Sequence, residues 1–94
     1  MIKYPHLHDS TLSRIEVAWA SKTICIFFVD GRQKEIVVEA KNVSKFAFAN
    51  NAPWGPSDSI NYVGLENGSR LIIEMQAGDV LEIEAAVFKL PIEL

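Results

Sequence analysis

The sequence predicts an all-β fold, either an antiparallel β-sandwich or a half-open barrel of about seven strands. Short runs rich in β-branched and aromatic residues fill most of the 94-residue chain. Turn dipeptides interrupt these runs at 30–31 (Asp-Gly), 67–68 (Asn-Gly) and 78–79 (Gly-Asp), where hairpins need tight turns. No segment of helical length repeats its apolar residues at the helical period. The chain length is that of one domain, so residues 1–94 are expected to form a single all-β unit.

Alternation between apolar and polar residues predicts where the strands of the N-terminal half lie. Residues 1–10 are expected to be irregular, and the alternation that includes Val17 and Trp19 then indicates a first strand. Two apolar-rich runs flank the first turn dipeptide and indicate the second and third strands. The next run, which carries Phe46 and Phe48 on one side, indicates the fourth. The four predicted strands cover residues 12–20, 22–29, 33–40 and 43–49.

The C-terminal half contains a loop and three further strands. Residues 50–58 are rich in Asn, Pro, Gly and Ser, which predicts a loop. The second and third turn dipeptides divide the remainder of the chain, and Pro91 ends the last strand because proline cannot donate to a ladder. One short helical turn is expected in residues 3–12 or 50–58. The three predicted strands cover residues 59–65, 70–76 and 80–90.

Turn chemistry predicts the register and thereby the core face. A two-residue type I′ turn at 67–68 sets Tyr62 opposite Ile73, and a three-residue loop at 77–79 sets Met75 opposite Leu81. A turn at 30–31 closed by a glycine bulge aligns the first hairpin. The side chains predicted to share the core face are Ile24, Ile26, Phe28, Ile36, Val38, Ile60, Tyr62, Gly64, Leu71, Ile73, Met75, Leu81, Ile83 and Ala85.

The opposite face carries both apolar and acidic residues. A fully solvated face would not need the apolar ones. Either the N-terminal segment and the first and fourth strands cover it, which we favour, or it is an interface. An interface between two copies would make a homodimer, since open sheets have unpaired edges and two-fold dimers are the commonest oligomers. The apolar residues of this face are Cys25, Phe27, Val37, Val63, Leu65 and Ile72.

Composition and charge exclude several classes of protein. A net charge of −3 disfavours a general nucleic-acid binder. The longest apolar run, residues 24–29, is too short to span a membrane. The single cysteine, Cys25, excludes a disulfide framework, and residues 1–6 lack the pattern of a signal peptide. The expected location is therefore cytoplasmic, and Cys25, with no base or helix terminus near it in sequence, is interpreted as a core residue.

His6, His8 and Asp9 are candidate metal ligands. Histidines one residue apart can face the same side of an extended strand, and an adjacent carboxylate suits zinc or another divalent ion. A further, distant ligand would be needed. The structural interpretation, which we favour, is that Asp9 or Ser10 caps a turn before the first strand.

Trp54 and three glutamates are candidate partner-binding residues. Trp54 lies in a loop stiffened by Pro and Gly, where a tryptophan either anchors an interface or folds back over the core, the interpretation we favour. Glu74, Glu82 and Glu84 form an acidic row that is either a solvated face or a docking surface for a basic partner. The row implies no cleft, so carboxylate catalysis is not favoured. No nucleophile motif or phosphate loop appears, and no cofactor is expected.

Three segments together resemble a known group of proteins. They are residues 8–10 (His-Asp-Ser), 53–57 (Pro-Trp-Gly-Pro-Ser) and 73–79 (Ile-Glu-Met-Gln-Ala-Gly-Asp). The chain is similar to small, largely uncharacterised bacterial all-β proteins, some of which look like immunity proteins that neutralise delivered toxins. The resemblance implies a cytoplasmic, acidic protein that binds a toxin domain and performs no chemistry of its own. The expected function is thus a non-enzymatic binding protein, and the alternative is a metal-dependent enzyme or metal sensor built on the His/Asp cluster.

Overall fold

A computed structural model describes residues 2–49 and 59–90, and it confirms the all-β class. Within these ranges one 3-10 turn (Pro5–Leu7) accompanies seven strands. This turn lies inside residues 3–12, one of the two places predicted for it. The strands are β1 (Ile2–Lys3), β2 (Thr11–Ala18), β3 (Thr23–Val29), β4 (Glu35–Ala49), β5 (Ile60–Glu66), β6 (Arg70–Met75) and β7 (Val80–Lys89).

All seven strands belong to one antiparallel sheet in the order β1-β5-β6-β7-β4-β3-β2. The sheet bends back on itself, because side chains of β3 and β5, far apart in this order, share one core. An isolated bridge between Thr11 and Ser59 also links the start of β2 to the segment before β5. The molecule therefore has a single bent sheet that is not closed into a barrel, rather than two stacked sheets.

The core lies on the concave face of this sheet. Five strands, β3 to β7, and the 3-10 turn contribute its side chains. Full burial of a Val, Leu, Ile, Phe or Met side chain stabilises a fold by about 1.5–3 kcal/mol. The buried apolar residues are Leu7, Ile24, Ile26, Phe28, Val38, Ala40, Ile60, Val63, Leu65, Leu71, Ile73, Met75, Leu81, Ile83 and Ala85.

The predicted strand boundaries were wrong in two places. Residues 33–40 and 43–49, predicted as separate strands, are parts of the continuous strand β4. Asn42 adopts a left-handed φ of 56°, which asparagine tolerates, and a register shift follows between Val43 and Lys45. The polar residues that suggested a turn therefore form a kink in one strand. The N-terminal segment, predicted to be irregular, supplies β1.

The hairpin between β5 and β6 corrects the predicted register. Asn67 and Gly68 both have positive φ, as a type I′ turn requires, and the Ser69 N–H donates to the Glu66 carbonyl at 3.1 Å. The Ser69 carbonyl, however, accepts from the N–H of Ala85 on β7 at 3.0 Å. Ser69 therefore belongs to the loop, and Glu66 lies opposite Arg70 instead of Ser69. The loop is one residue longer than predicted.

The extra loop residue reverses the two faces of β5. Val63, not Tyr62, lies opposite Ile73, so Val63 and Leu65 join the core and Tyr62 does not. A second irregularity between Ile60 and Tyr62 restores the predicted pairing of Ile60 with Met75. The members of the core face at Ile24, Ile26, Phe28, Val38, Ile60, Leu71, Ile73, Met75, Leu81, Ile83 and Ala85 are buried as predicted.

The predicted register of the β6–β7 hairpin was wrong, but both strands keep their predicted faces. The Met75 N–H donates to the Asp79 carbonyl at 2.8 Å, so the loop comprises residues 76–78. Ile73 consequently lies opposite Leu81 rather than Ile83. A shift of two residues keeps every side chain on its predicted face, because side chains alternate with a period of two.

Gly78 and Gly31 form a matched pair for testing these turns. Gly78 has a φ of 101°, whereas Gly31 does not have positive φ, and a Cβ at either position would meet no atom within 4 Å. We expect Gly78→Ala to lower the free energy of unfolding by about 1–2 kcal/mol through backbone strain alone. Gly31→Ala should instead be neutral or stabilise by up to about 1 kcal/mol. Urea denaturation followed by circular dichroism measures both, and equal losses would contradict the assignment of the turns.

Candidate functional site

The acidic row lies on the convex face of the sheet, as the alternation predicted. Glu82 stands opposite Ile72, and Glu74 and Glu84 lie on the same face of β6 and β7. The Glu74 carboxylate accepts a hydrogen bond from the Asn61 side-chain amide at 3.1 Å. The three carboxylates are half-buried rather than fully solvated.

Glu82 is neutralised within the protein. Its Oε1 accepts from Arg70 Nε at 2.8 Å and from Lys45 Nζ at 3.1 Å, and its side chain is only 18% exposed. Arg70 also lies 3.4 Å from Glu66. The hydrogen bond from Arg70, followed by that from Lys45, lowers the pKa of Glu82 to about 2. The middle of the acidic row is therefore less available to a basic partner than the sequence implied.

This network predicts an acid-dependent loss of stability. The pKa of Glu82 is lower in the folded protein than its ordinary 4.5, so its contribution is complete above pH 4.5 and is lost as the pH falls toward 2. We expect Arg70→Gln to raise the pKa of Glu82 toward 4.5 and to flatten this loss. Lys45→Gln should act in the same direction but less. NMR titration of the Glu82 carboxyl measures the pKa, and a value unchanged by Arg70→Gln would refute the network.

The apolar side chains predicted on the convex face do not share one cover: Val37 stays exposed there, and others are shielded in a way that differs from the expected one. Val63 and Leu65 lie in the core, as the corrected register requires. The Arg14 guanidinium of β2 lies 3.9 Å from the centroid of the Phe27 ring, and it also pairs with Glu16 at 3.8 Å. A cation over an aromatic ring shields that ring from water. In the described residues a side chain, and not a second layer of strands, covers this part of the face.

Cys25 lies half-buried on the convex face, not in the core. Its thiol is 3.9 Å from the Glu39 carboxylate. Burial, and then the charges of Glu39 and Glu16, raise the pKa of the Cys25 thiol. A thiol with a raised pKa is a poor nucleophile, so this environment does not suit a catalytic cysteine.

The His/Asp cluster surrounds the end of the 3-10 turn. His8 Nδ1 lies 3.1 Å from Asp9 Oδ2, both side chains are exposed, and Asp9 also accepts a hydrogen bond from Gln76 Nε2. The buried Ser10 hydroxyl donates to the Leu7 carbonyl at 2.6 Å and so closes the turn. Among the described side chains, no group of three or more metal-ligating residues comes together.

For two of the predicted site residues the structure describes no side-chain contacts. The side chain of His6 and all of Trp54 fall outside the described residues. The metal hypothesis for His6, His8 and Asp9 stays a prediction, as does the anchoring role of Trp54. Metal content and melting temperature of untagged protein with and without added zinc would decide the metal hypothesis, since a bound ion stabilises the folded state.

An apolar groove, which the sequence did not reveal, opens at one end of the concave face. We call it the hairpin groove; its volume is about 600 Å³. Pairing places Val17 opposite Ile24 and Phe46 opposite Ile83, so Val17 and Phe46 lie on the core side of the sheet. Trp19, at the tip of the β2–β3 hairpin, is 90% exposed. The lining residues are Val17, Ala18, Trp19, Lys22, Thr23, Ile24, Val43, Ser44, Lys45 and Phe46.

The groove exists because β4 is longer than its neighbour β3. The β2–β3 hairpin turns at residues 19–22, where the Lys22 N–H donates to the Trp19 carbonyl at 3.2 Å. The Val43 N–H still donates to the Lys22 carbonyl at 2.9 Å, just after the kink at Asn42. Beyond that point β7 is the one strand among the described residues that pairs with β4. Its core-facing side chains are left partly open to solvent.

The sequence carries a partial signal for this groove. Val17 and Trp19, like Phe46 and Phe48, alternate along their strands and so share a side. Such a pattern ordinarily predicts burial. Phe48 is nevertheless 54% exposed. The exposure follows from the unequal lengths of β3 and β4, which alternation does not encode.

These features define a class: an all-β protein with one bent antiparallel sheet and an exposed apolar groove at its open end. The fold is similar to that of an uncharacterized protein from Neisseria gonorrhoeae known from its crystal structure, with a TM-score of 0.63 and 16% sequence identity over 90% of this chain and 93% of that chain. At this identity the likeness concerns the fold alone. No protein-family model and no curated protein matches the sequence. In the described parts of the chain, no helix has the length and apolar character needed to cross a membrane.

Proposed function

We propose that the protein is a non-enzymatic binding protein that holds a polypeptide partner in the hairpin groove. The observation that carries this proposal is the exposure of Trp19 beside Val17 and Phe46. Large apolar side chains grouped on a surface are typical of interaction sites. Tryptophan is also enriched among the residues that dominate binding energy, because it contributes a large rigid surface.

The shape of the groove supports a protruding apolar side chain of the partner as its occupant. Ile24 and Val43 both line it; Ile24 belongs to the core and Val43 packs against the core, so this part of the groove is supported from beneath. Lys22 and Lys45 lie at its rim. A carboxylate next to the inserted side chain would be attracted by Lys22, whereas the charge of Lys45 is already paired with Glu82.

The partner that we propose is a toxin domain, with the protein acting as its cytoplasmic immunity-like inhibitor. The resemblance of residues 8–10, 53–57 and 73–79 to immunity-type proteins motivates this choice. The small size and the net charge of −3 are compatible with it. The internal pairing of Glu82 argues for the groove rather than the acidic row as the main contact surface.

Co-expression with a toxin domain encoded beside this gene tests the proposal. The wild-type protein should protect cells, and Trp19→Ala should abolish protection and weaken binding of the purified toxin domain by at least about 30-fold. Because Trp19 is exposed, the melting temperature of this variant should stay unchanged. Val87→Ala removes an exposed apolar side chain elsewhere and is the matched control.

Two outcomes would count against the proposal. A gene with no toxin or secretion gene near it removes the immunity version. If Glu84→Lys abolishes binding of the toxin domain while Trp19→Ala does not, the partner docks on the acidic row instead of the groove.

A further inference from the structure

We propose that the outer half of β4, residues 45–49, pairs with the same residues of a second copy to form a two-fold homodimer. This stretch pairs with β7 on one side. On its other side, no strand among the described residues pairs with it, since β3 reaches only to Ala40. Its outward N–H and C=O groups therefore present an open edge that another strand can join.

The two strands at the ends of the sheet order are protected against such pairing. β1, at one end of the sheet order, is only two residues long. β2, at the other end, carries the charged residues Arg14 and Glu16 and a register shift between Leu12 and Arg14. Short strands, charges and bulges are the usual means of blocking edge-to-edge association. The outer half of β4 is the described edge that lacks a bulge within it and is flanked by exposed aromatic side chains.

The edge is complementary to itself. In an antiparallel pairing centred on Ala47, Phe46 of one copy lies opposite Phe48 of the other, twice, on the concave face. On the convex face Ala47 meets Ala47 and Lys45 meets Ala49, so small side chains permit close approach and no like charges oppose each other. Lys45 is also turned toward β7 by its 3.1 Å contact with Glu82.

Pairing would cover the aromatic side chains that the fold leaves in water. Phe46 is 39% exposed and Phe48 more so, although both lie on the core side of the sheet. Burying them across a two-fold axis extends the core from one protomer into the next. Phe46 also lines the hairpin groove, so the dimer and the partner complex would compete. The dimer does not depend on the proposed function, and it is tested on the protein alone.

Light scattering and sedimentation over a range of micromolar concentrations provide the first test. We expect a mass of twice the 10.5 kDa of the chain at the upper end, falling toward the monomer on dilution. Phe48→Lys should raise the dimer dissociation constant by more than about tenfold, as loss of a central aromatic contact does. The matched control is Val37→Lys, which changes an equally apolar, exposed position on the convex face and should leave the dimer intact.

Cysteine cross-linking tests the register without relying on a destabilised dimer. Residues directly opposite in antiparallel strands have Cα atoms about 4.5–5.5 Å apart, within the range that a disulfide spans. In a Cys25→Ser background, Ala47→Cys should therefore form a disulfide-linked dimer on mild oxidation. Ala86→Cys, exposed on β7, should not.

Three results would overturn the inference. One is a monomer mass at every concentration. Another is a dimer that Val37→Lys dissociates and Phe48→Lys does not, which would place the interface on the convex face. The third is a dimer in which the cysteine at position 47 fails to cross-link.

Discussion

Replacement of Val63 by aspartate should unfold the protein, lowering the free energy of unfolding by about 4 kcal/mol or more. Val63 is fully buried in the middle of β5 and lies opposite Ile73 of β6. A carboxylate there would lose its hydration and gain no partner, and burying an unpaired charge is among the most destabilising changes in a protein core. Far-UV circular dichroism and urea denaturation would measure the loss.

Tyr62→Asp is the matched control for this prediction. Tyr62 is half-buried on the opposite face of β5, where its ring lies 5.0 Å from the Lys3 ammonium. Its replacement should cost less than about 2 kcal/mol, since the new carboxylate stays in contact with water and near a lysine. If Val63→Asp yields no folded protein, the milder substitutions Val63→Ala and Tyr62→Ala still show which site contributes more to the free energy of unfolding. A larger loss at Tyr62 would restore the register with Tyr62 opposite Ile73.

Phe28→Ala should lower the free energy of unfolding by about 3–5 kcal/mol. Phe28 is the largest of the fully buried side chains among the described residues. Removing its ring forfeits the apolar burial and leaves a cavity that the surrounding strands cannot fill. Small domains are stable by only about 5–15 kcal/mol, so the variant would be close to unfolding at room temperature.

Phe48→Ala provides the comparison on the same residue type. Phe48 is more than half exposed, so its truncation should cost less than about 1 kcal/mol in the monomer. Thermal and urea denaturation at low protein concentration, where a dimer would dissociate, give both values. Similar losses at Phe28 and Phe48 would mean that Phe48 is part of the monomer core.

The candidate site divides into parts that the sequence could predict and parts that it could not. The placement of Glu74, Glu82 and Glu84 on one outer face follows from alternation, and it was predicted. The neutralisation of Glu82 was not, because it needs Lys45 from a strand 37 residues away. The cover of Phe27 by Arg14 likewise depends on the pairing of β2 with β3.

The hairpin groove shows the same limit. Trp19 and Phe46 belong to alternating runs, and the apolar members of such runs are usually buried. Their exposure arises where β4 extends past the start of β3, beyond the kink at Asn42. The relative extent of two neighbouring strands is a property of their pairing, and neither strand contains it alone.

By itself the sequence determined the all-β class, the approximate positions of the three hairpin turns marked by turn dipeptides, and the faces of β3, β6 and β7, because turn dipeptides and a period of two are local properties. A two-residue error in the β6–β7 register left those faces intact. The tertiary structure decided the face of β5, since the Ser69 carbonyl bonds to Ala85 of β7 and so adds one residue to the loop. It also decided that residues 45–49 have β7 as a neighbour on one side and, among the described strands, no neighbour on the other. In both cases a backbone group takes its hydrogen bond from a strand distant in sequence, and that choice depends on which strands the folded chain brings together.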